Sequence, residues 1–206
     1  MNYISVQFKF DNPEEVGQQQ ENRLDRSKAT YLLLLRGWFF NPDSQESAVL
    51  KGWVQSRFGL APRFHHQPIR NSGDDSYRVY EQEWANGLYN TNALETQLDL
   101  LYSYCQFELA KKFGQQTHIT LYRGCNKLSD YETFEILEDG ERIVLLNNVN
   151  SFSSSQERAD EFGDYVMEVQ IPLTKIAFYN ALLPGLLSSE DEYMVIGGLY
   201  KVRMAV

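Results

Sequence analysis

The sequence predicts an α+β fold with helices and strands in separate layers, and three observations carry that prediction. Apolar residues recur at three- and four-residue steps through much of the first half, whereas after Gly114 they alternate every second residue. The third observation is size. With 206 residues, 43% hydrophobic and 14% aromatic, the chain can bury a sizeable core as one domain, or as one domain with a helical extension. The expectation is a single domain over 1–206, mainly helical over 1–115 and strand-rich over 116–206.

Taken in order, residues 3–10 read as a half-buried strand or extended arm, because Ile4, Val6, Phe8 and Phe10 alternate with polar neighbours. Asp11-Asn12-Pro13 stops it, and the Gln-, Glu- and Asn-rich piece to Asn22 reads as a solvated linker or first helical turns. The aliphatic cluster from Arg23 to Phe40 is too long for a strand and predicts a buried helix ending at Asn41-Pro42. Ser44 to Phe58 predicts a second helix with Val49, Leu50, Trp53 and Val54 on one side and Gly59 as its stop. Leu60 to Pro68 reads as a loop. Its paired His65 and His66 invite a metal, but neighbours in extended chain point oppositely and the remaining histidine is His118, so no metal site is expected.

Asp74 to Phe113 is the strongest helical region, with Leu94, Leu98, Leu101, Tyr102, Cys105 and Leu109 forming an apolar stripe. Thr91 or Asn92 can cap the stripe's helix, and Lys111-Lys112 suit its negative end before Gly114. Ile119 to Gly124 then alternates as a strand with Ile119, Leu121 and Arg123 on one face. Asp130 to Glu141 reads as an acidic hairpin or loop turning at Gly140, and Arg142 to Leu146 as a strand. A serine run, Ser151 to Ser155, precedes two helical turns over Gln156 to Gly163, and serine there suits a helix cap. Strands are expected over Tyr165 to Ile171, Ile176 to Tyr179, Tyr193 to Val195 and Leu199 to Val206.

Composition bounds the function. A formal net charge of −9 argues against nucleic acid as the main partner, which would call for a basic stripe. The longest apolar run, Tyr31 to Leu35, meets Arg36, so no membrane span is expected. Met1-Asn2-Tyr3 lacks the basic-then-apolar pattern of a secretory leader. Cys105 and Cys125 lack metal-ligand spacing, which fits reduced thiols in a cytoplasmic protein and leaves a disulfide between them open.

Three short motifs carry chemistry. Arg123 at a strand end can project its always-charged fork onto phosphate oxygens, while Gly124 lets a ligand approach the backbone. Ser151-Phe152-Ser153 follows. Glu190 and Glu192 flank Asp191 before an apolar strand, where extended backbone would turn both carboxylates to one face; the stretch reads either as an ordinary acidic surface turn or as a pair suited to a cationic substrate or a developing positive charge. In that order these pieces resemble the arginine, Ser-x-Ser, Glu-x-Glu triad of mono-ADP-ribosyltransferases that modify arginine. The wider chain, from about residue 50, resembles the dinitrogenase reductase ADP-ribosyltransferases, through Gly52 to Leu60, Gly87 to Glu95 and Thr120 to Gly124. Phe152 stands where the usual motif has Thr.

The resemblance implies a split two-sheet ADP-ribosyltransferase-type β core with an NAD cleft, placed in 116–206. It implies NAD as substrate and dinitrogenase reductase, the nitrogenase iron protein, as the acceptor that is switched off. By similarity Arg123 and Gly124 bind NAD, through a phosphate or adjoining ribose and through the carboxamide, and Ser151 and Ser153 belong to the same cofactor-binding set. Ser151 would orient Glu192, Glu192 would stabilise the oxocarbenium-like charge, and Glu190 would bind the incoming guanidinium and help remove its proton. Control by a PII-type signalling protein is implied too.

Overall fold

A computed structural model describes residues 29–89, 91, 93–183 and 191–205, so the arm expected over 3–10, the linker to Asn22 and Glu190 lie outside the described residues. Among the described residues five α-helices and eight strands follow in order. Helix α1 is Tyr31–Phe40, α2 Gln45–Phe58, α3 Asp75–Gly87 and α4 Ala93–Phe113. Strands β1 (Phe64–His65) and β2 (Gln67–Pro68) lie between α2 and α3. The second half holds β3 (His118–Cys125), β4 (Glu132–Ile136), β5 (Arg142–Ser153), α5 (Gln156–Asp160), β6 (Tyr165–Pro172), β7 (Ile176–Tyr179) and β8 (Glu192–Ala205).

Each helix starts and stops on local chemistry. Thr30 has extended backbone and its hydroxyl accepts from Leu33 N, so α1 begins at Tyr31 and does not run on from Arg23 as the aliphatic pattern suggested. Ser44 caps α2 by accepting from Ser47 N at 3.1 Å, and Gly59 ends it in the left-handed region at φ 68. The helical stretch expected over Asp74 to Phe113 is two helices, and Thr91 Oγ1 accepts from Ala93 N at 3.1 Å where the second begins.

Helix α2 departs from the one-sided pattern expected of it. Every residue from Ser47 to Val54 is buried, Lys51 included, because the helix is covered on all sides. Close approach makes that possible: a Cβ on Gly37 would strike Glu46, one on Gly52 would strike the Trp84 ring, and one on Gly87 would strike Val49. A polar clamp fixes the far end. Arg57 grips Asp99 of α4 with Nε at 2.8 Å and Nη2 at 3.0 Å, and Trp53 Nε1 donates to the same carboxylate at 2.8 Å. Burial pushes the Asp99 carboxyl up, but the hydrogen bonds from Arg57 and Trp53 outweigh it and hold it below the ordinary range.

The six main strands form one antiparallel sheet in the order β4-β5-β3-β6-β8-β7, and β5 also pairs with β8. Strands β5, β3, β6 and β8 therefore close a ring of pairings. Two strands run straight through places where breaks were expected. Strand β5 continues through Asn147-Asn148, and β8 continues through Gly197-Gly198. One packing event explains both. The β5–β8 register shifts between Leu146 and Val149, and the bulged Asn147 backbone presses on Gly197, where any Cβ would overlap it.

The bulge also ties sheet to helices. Asn148 Nδ2 donates to Lys51 O at 2.8 Å and Leu60 O at 3.0 Å, while Asn147 bonds Arg63 N at 2.9 Å and Phe64 O at 3.1 Å. Helix α4 lays Leu94, Leu98, Leu101, Cys105 and Leu109 into the same core, and Gln106 Nε2 donates to Leu173 O and Ile176 O. Cys105 and Cys125 are both free and buried, so the disulfide left open by the sequence is not formed.

Candidate active site

One cavity of about 870 Å³ lies between the strand ends and the wall made by α1, the α1–α2 turn and the β1–β2 hairpin. Arg123, Gly124, Ser151, Ser153 and Glu192 all line it, although they come from three strands spread over some seventy positions of sequence. Pairing register brings them together. Tyr122 lies opposite Ser153, and Ser153 lies opposite Glu192, so Ser153 and Glu192 share a face. Ser151 is one same-face step along, opposite Met194.

Arg123 is aimed by two bonds. Its Nη1 donates to Ser151 O at 2.6 Å and its Nε to the Tyr131 hydroxyl at 3.2 Å, with the guanidinium 6.0 Å from the centre of the Phe152 ring. Gly124 has a reason that sequence did not supply: a Cβ there would overlap the carbonyl oxygen of Ala159, so helix α5 rests directly on this strand. Gly163 repeats the device against the Cys125 backbone. Ser155 caps α5 by accepting from Arg158 N, and its own N–H donates to the Ser153 hydroxyl at 3.0 Å. The helix thereby places Arg158 and the two-thirds exposed Phe162 at the cavity rim.

The extended geometry expected around the two glutamates does not hold at its centre. Asp191 has φ 71, a left-handed backbone, so alternation does not carry from Glu192 back through it. Its oxygens are engaged by Ser154, through the backbone N–H at 3.0 Å and the hydroxyl at 3.2 Å, which fixes the start of β8 beside the serine motif. Glu192 itself is half-buried.

The family model for dinitrogenase reductase ADP-ribosyltransferase matches residues 1–204. This chain belongs to the dinitrogenase reductase ADP-ribosyltransferase family. It is 39% identical over 205 residues to the NAD(+)--dinitrogen-reductase ADP-D-ribosyltransferase of Rhodospirillum rubrum, an alignment that covers 98% of this chain and 74% of that protein. No solved structure matches. The resemblance read from three motifs is thus borne out over nearly the whole chain. Among the described residues no helix of this family member is long and apolar enough to cross a membrane.

The opposite wall holds polar residues that the motif reading did not find. Lys51, only 1% exposed, donates to Pro42 O at 2.8 Å and Asp43 Oδ1 at 3.3 Å, and lies 3.0 Å from His65 Nδ1. Burial is the main cause that brings its amine down to about 8, against the opposing pull of Asp43. A signal existed: a lysine one residue after Leu50 and two before Trp53 interrupts an apolar helix. Tyr131 had none, since it sits in an acidic hairpin that reads as solvated.

The paired histidines also correct the sequence reading. His66 has φ 57, so the two rings do not point apart. His65 Nε2 lies 2.7 Å and His66 Nε2 3.1 Å from the two carboxylate oxygens of Glu83 on α3. The argument against a metal here assumed extended backbone, and that assumption fails at one residue.

Proposed function

We propose that this protein transfers ADP-ribose from NAD to an arginine side chain of dinitrogenase reductase and so inactivates it. Family membership supplies the reaction, and the observation that carries it to particular residues is the meeting of Arg123, Gly124, Ser151, Ser153 and Glu192 around one cleft. Arg123, its fork direction preset by Ser151 O and Tyr131, binds an NAD phosphate or the adjoining ribose. The Gly124 backbone takes the carboxamide, and the exposed Phe162 ring offers a face to the nicotinamide.

The chemistry follows from charge. The glycosidic bond between nicotinamide and ribose breaks with its electron pair leaving on nicotinamide, and positive charge develops on the ribose. Glu192 stabilises that charge from a fixed position, with Ser151 and Ser153 orienting it. A guanidinium stays protonated at physiological pH and attacks poorly until it loses a proton, and Glu190 receives that proton as the new C–N bond forms. Holding the attacking nitrogen in line with the ribosyl carbon supplies much of the remaining acceleration.

The ring of β5, β3, β6 and β8 supports the finer reading of a split two-sheet ADP-ribosyltransferase core. We read 1–206 as one domain, with a helical part to 115 and the NAD-binding core from 116. A PII-type signalling protein as regulator and a cytoplasmic location belong to the same reading. The test is incubation with labelled NAD and dinitrogenase reductase. Label on an arginine of the acceptor is expected; free ADP-ribose alone would make the chain a glycohydrolase, and tight NAD binding without turnover a silent module. Glu190→Gln should abolish transfer while leaving some NAD hydrolysis, whereas Glu192→Gln should lose both; equal loss of hydrolysis would refute this division of roles.

A further inference from the structure

At the tip of the β1–β2 hairpin His66 adopts a left-handed backbone, φ 57, which crowds the Cβ of any residue but glycine. The result of that strain is specific. Two adjacent imidazoles turn toward one carboxylate, Glu83, and the ligand atoms of the three residues all lie within 4.8 Å of one another. We propose that His65, His66 and Glu83 form a binding site for a divalent transition-metal ion of the zinc type.

Geometry and donor chemistry both fit. An ion with bonds of about 2.0–2.1 Å in tetrahedral geometry needs donors roughly 3.3 Å apart. The histidine–glutamate separations, 2.7 Å to Oε2 and 3.1 Å to Oε1, are slightly shorter, so an ion between the rings requires a small turn of the Glu83 carboxylate to bring one oxygen to both. Two imidazole nitrogens with one carboxylate oxygen suit zinc, nickel or copper better than magnesium or calcium, which prefer oxygen alone. Three protein donors leave a fourth position for water. An entry path exists, because both histidines line an open depression of about 580 Å³ that Arg70, Asp74 and Asp75 line as well.

The surroundings of His65 Nδ1 would have to adjust to such an ion. With the ion on His65 Nε2 the ring proton sits on Nδ1, where Lys51 Nζ at 3.0 Å is a fellow donor and must give way before Asp43 Oδ1, 3.8 Å off, can accept it. Lys51 keeps its other acceptors, Pro42 O and Asp43. Phe64 and Pro68 of the same hairpin line the main cleft, so an ion fastening the hairpin to α3 also holds one wall of that cleft. The site is separate from the groups assigned to NAD and to the acceptor arginine, and its test is independent of theirs.

The experiment uses the full chain, stripped with chelator and titrated with zinc by calorimetry, then with cobalt as a visible-absorption probe. One equivalent of zinc is expected, together with cobalt bands of a four-coordinate nitrogen–oxygen site. His66→Ala and Glu83→Gln should each weaken zinc binding roughly tenfold or more and remove the cobalt bands. Both replace side chains that are not fully buried, and circular dichroism checks their fold. Absence of stoichiometric uptake by the wild-type chain, or uptake unchanged in both variants, overturns the assignment.

Discussion

The two walls of the cleft use polar residues in opposite ways. On the strand wall, Arg123, Ser153 and Glu192 are set by backbone register and by bonds to main-chain atoms, as in Arg123 to Ser151 O and Ser155 N to Ser153. On the helical wall, side chains engage each other in a run from Asp43 through Lys51, His65 and Glu83 to His66. The first arrangement is preorganised toward the cavity; the second is largely self-satisfied. Substitutions on the strand wall should therefore be read in activity and those on the helical wall in stability.

The sharpest break in that contrast would come from Glu192→Gln. Transfer and NAD hydrolysis should both fall by on the order of a hundredfold or more while the melting temperature stays near wild type, as steady-state kinetics and calorimetry would show. Next in size is Lys51→Ala. It removes a buried cation from three partners and should cost about 2–4 kcal/mol in urea unfolding. A third test blurs the two walls. Gly124→Ala drives a methyl into the Ala159 carbonyl and should cost about 1–3 kcal/mol and displace α5, so that both stability and KM for NAD suffer.

The smallest effect lies far from the cleft. The folded-state pKa of Asp99 is depressed, so the clamp with Arg57 contributes stability above the ordinary carboxylate range and loses it as pH falls through the lowered value. Asp99→Asn should remove part of the acid limb of the stability profile and change little at alkaline pH. An identical acid limb in the variant would show that the exposed clamp contributes nothing measurable.

Much of the fold was legible because local rules acted alone. Ser44 and Gly59 bound α2 as capping chemistry requires, and the apolar stripe of α4 packs as its period indicates. What escaped depended on distant partners. The continuity of β8 through Gly197 needs the Asn147 bulge from another strand, and the identity of Gly124 answers to a helix thirty-five residues onward. The same division holds at the site. Arg123, Ser151, Ser153 and Glu192 were readable as motifs, whereas Tyr131 and Lys51 matter only through contacts that no spacing encodes. Single torsions undid two inferences: the left-handed backbones of Asp191 and His66 each broke an alternation that residue types alone suggested.

The closed ring has a temporal consequence. Strand β8, which supplies Glu192 and makes the pairings that shut the ring, is the last strand described, so neither can be in place until that segment has emerged from the ribosome. Long-range pairings of this kind form slowly. A nascent chain stalled before position 192 would carry Arg123, Ser151 and Ser153 yet lack the strand that closes the ring around them.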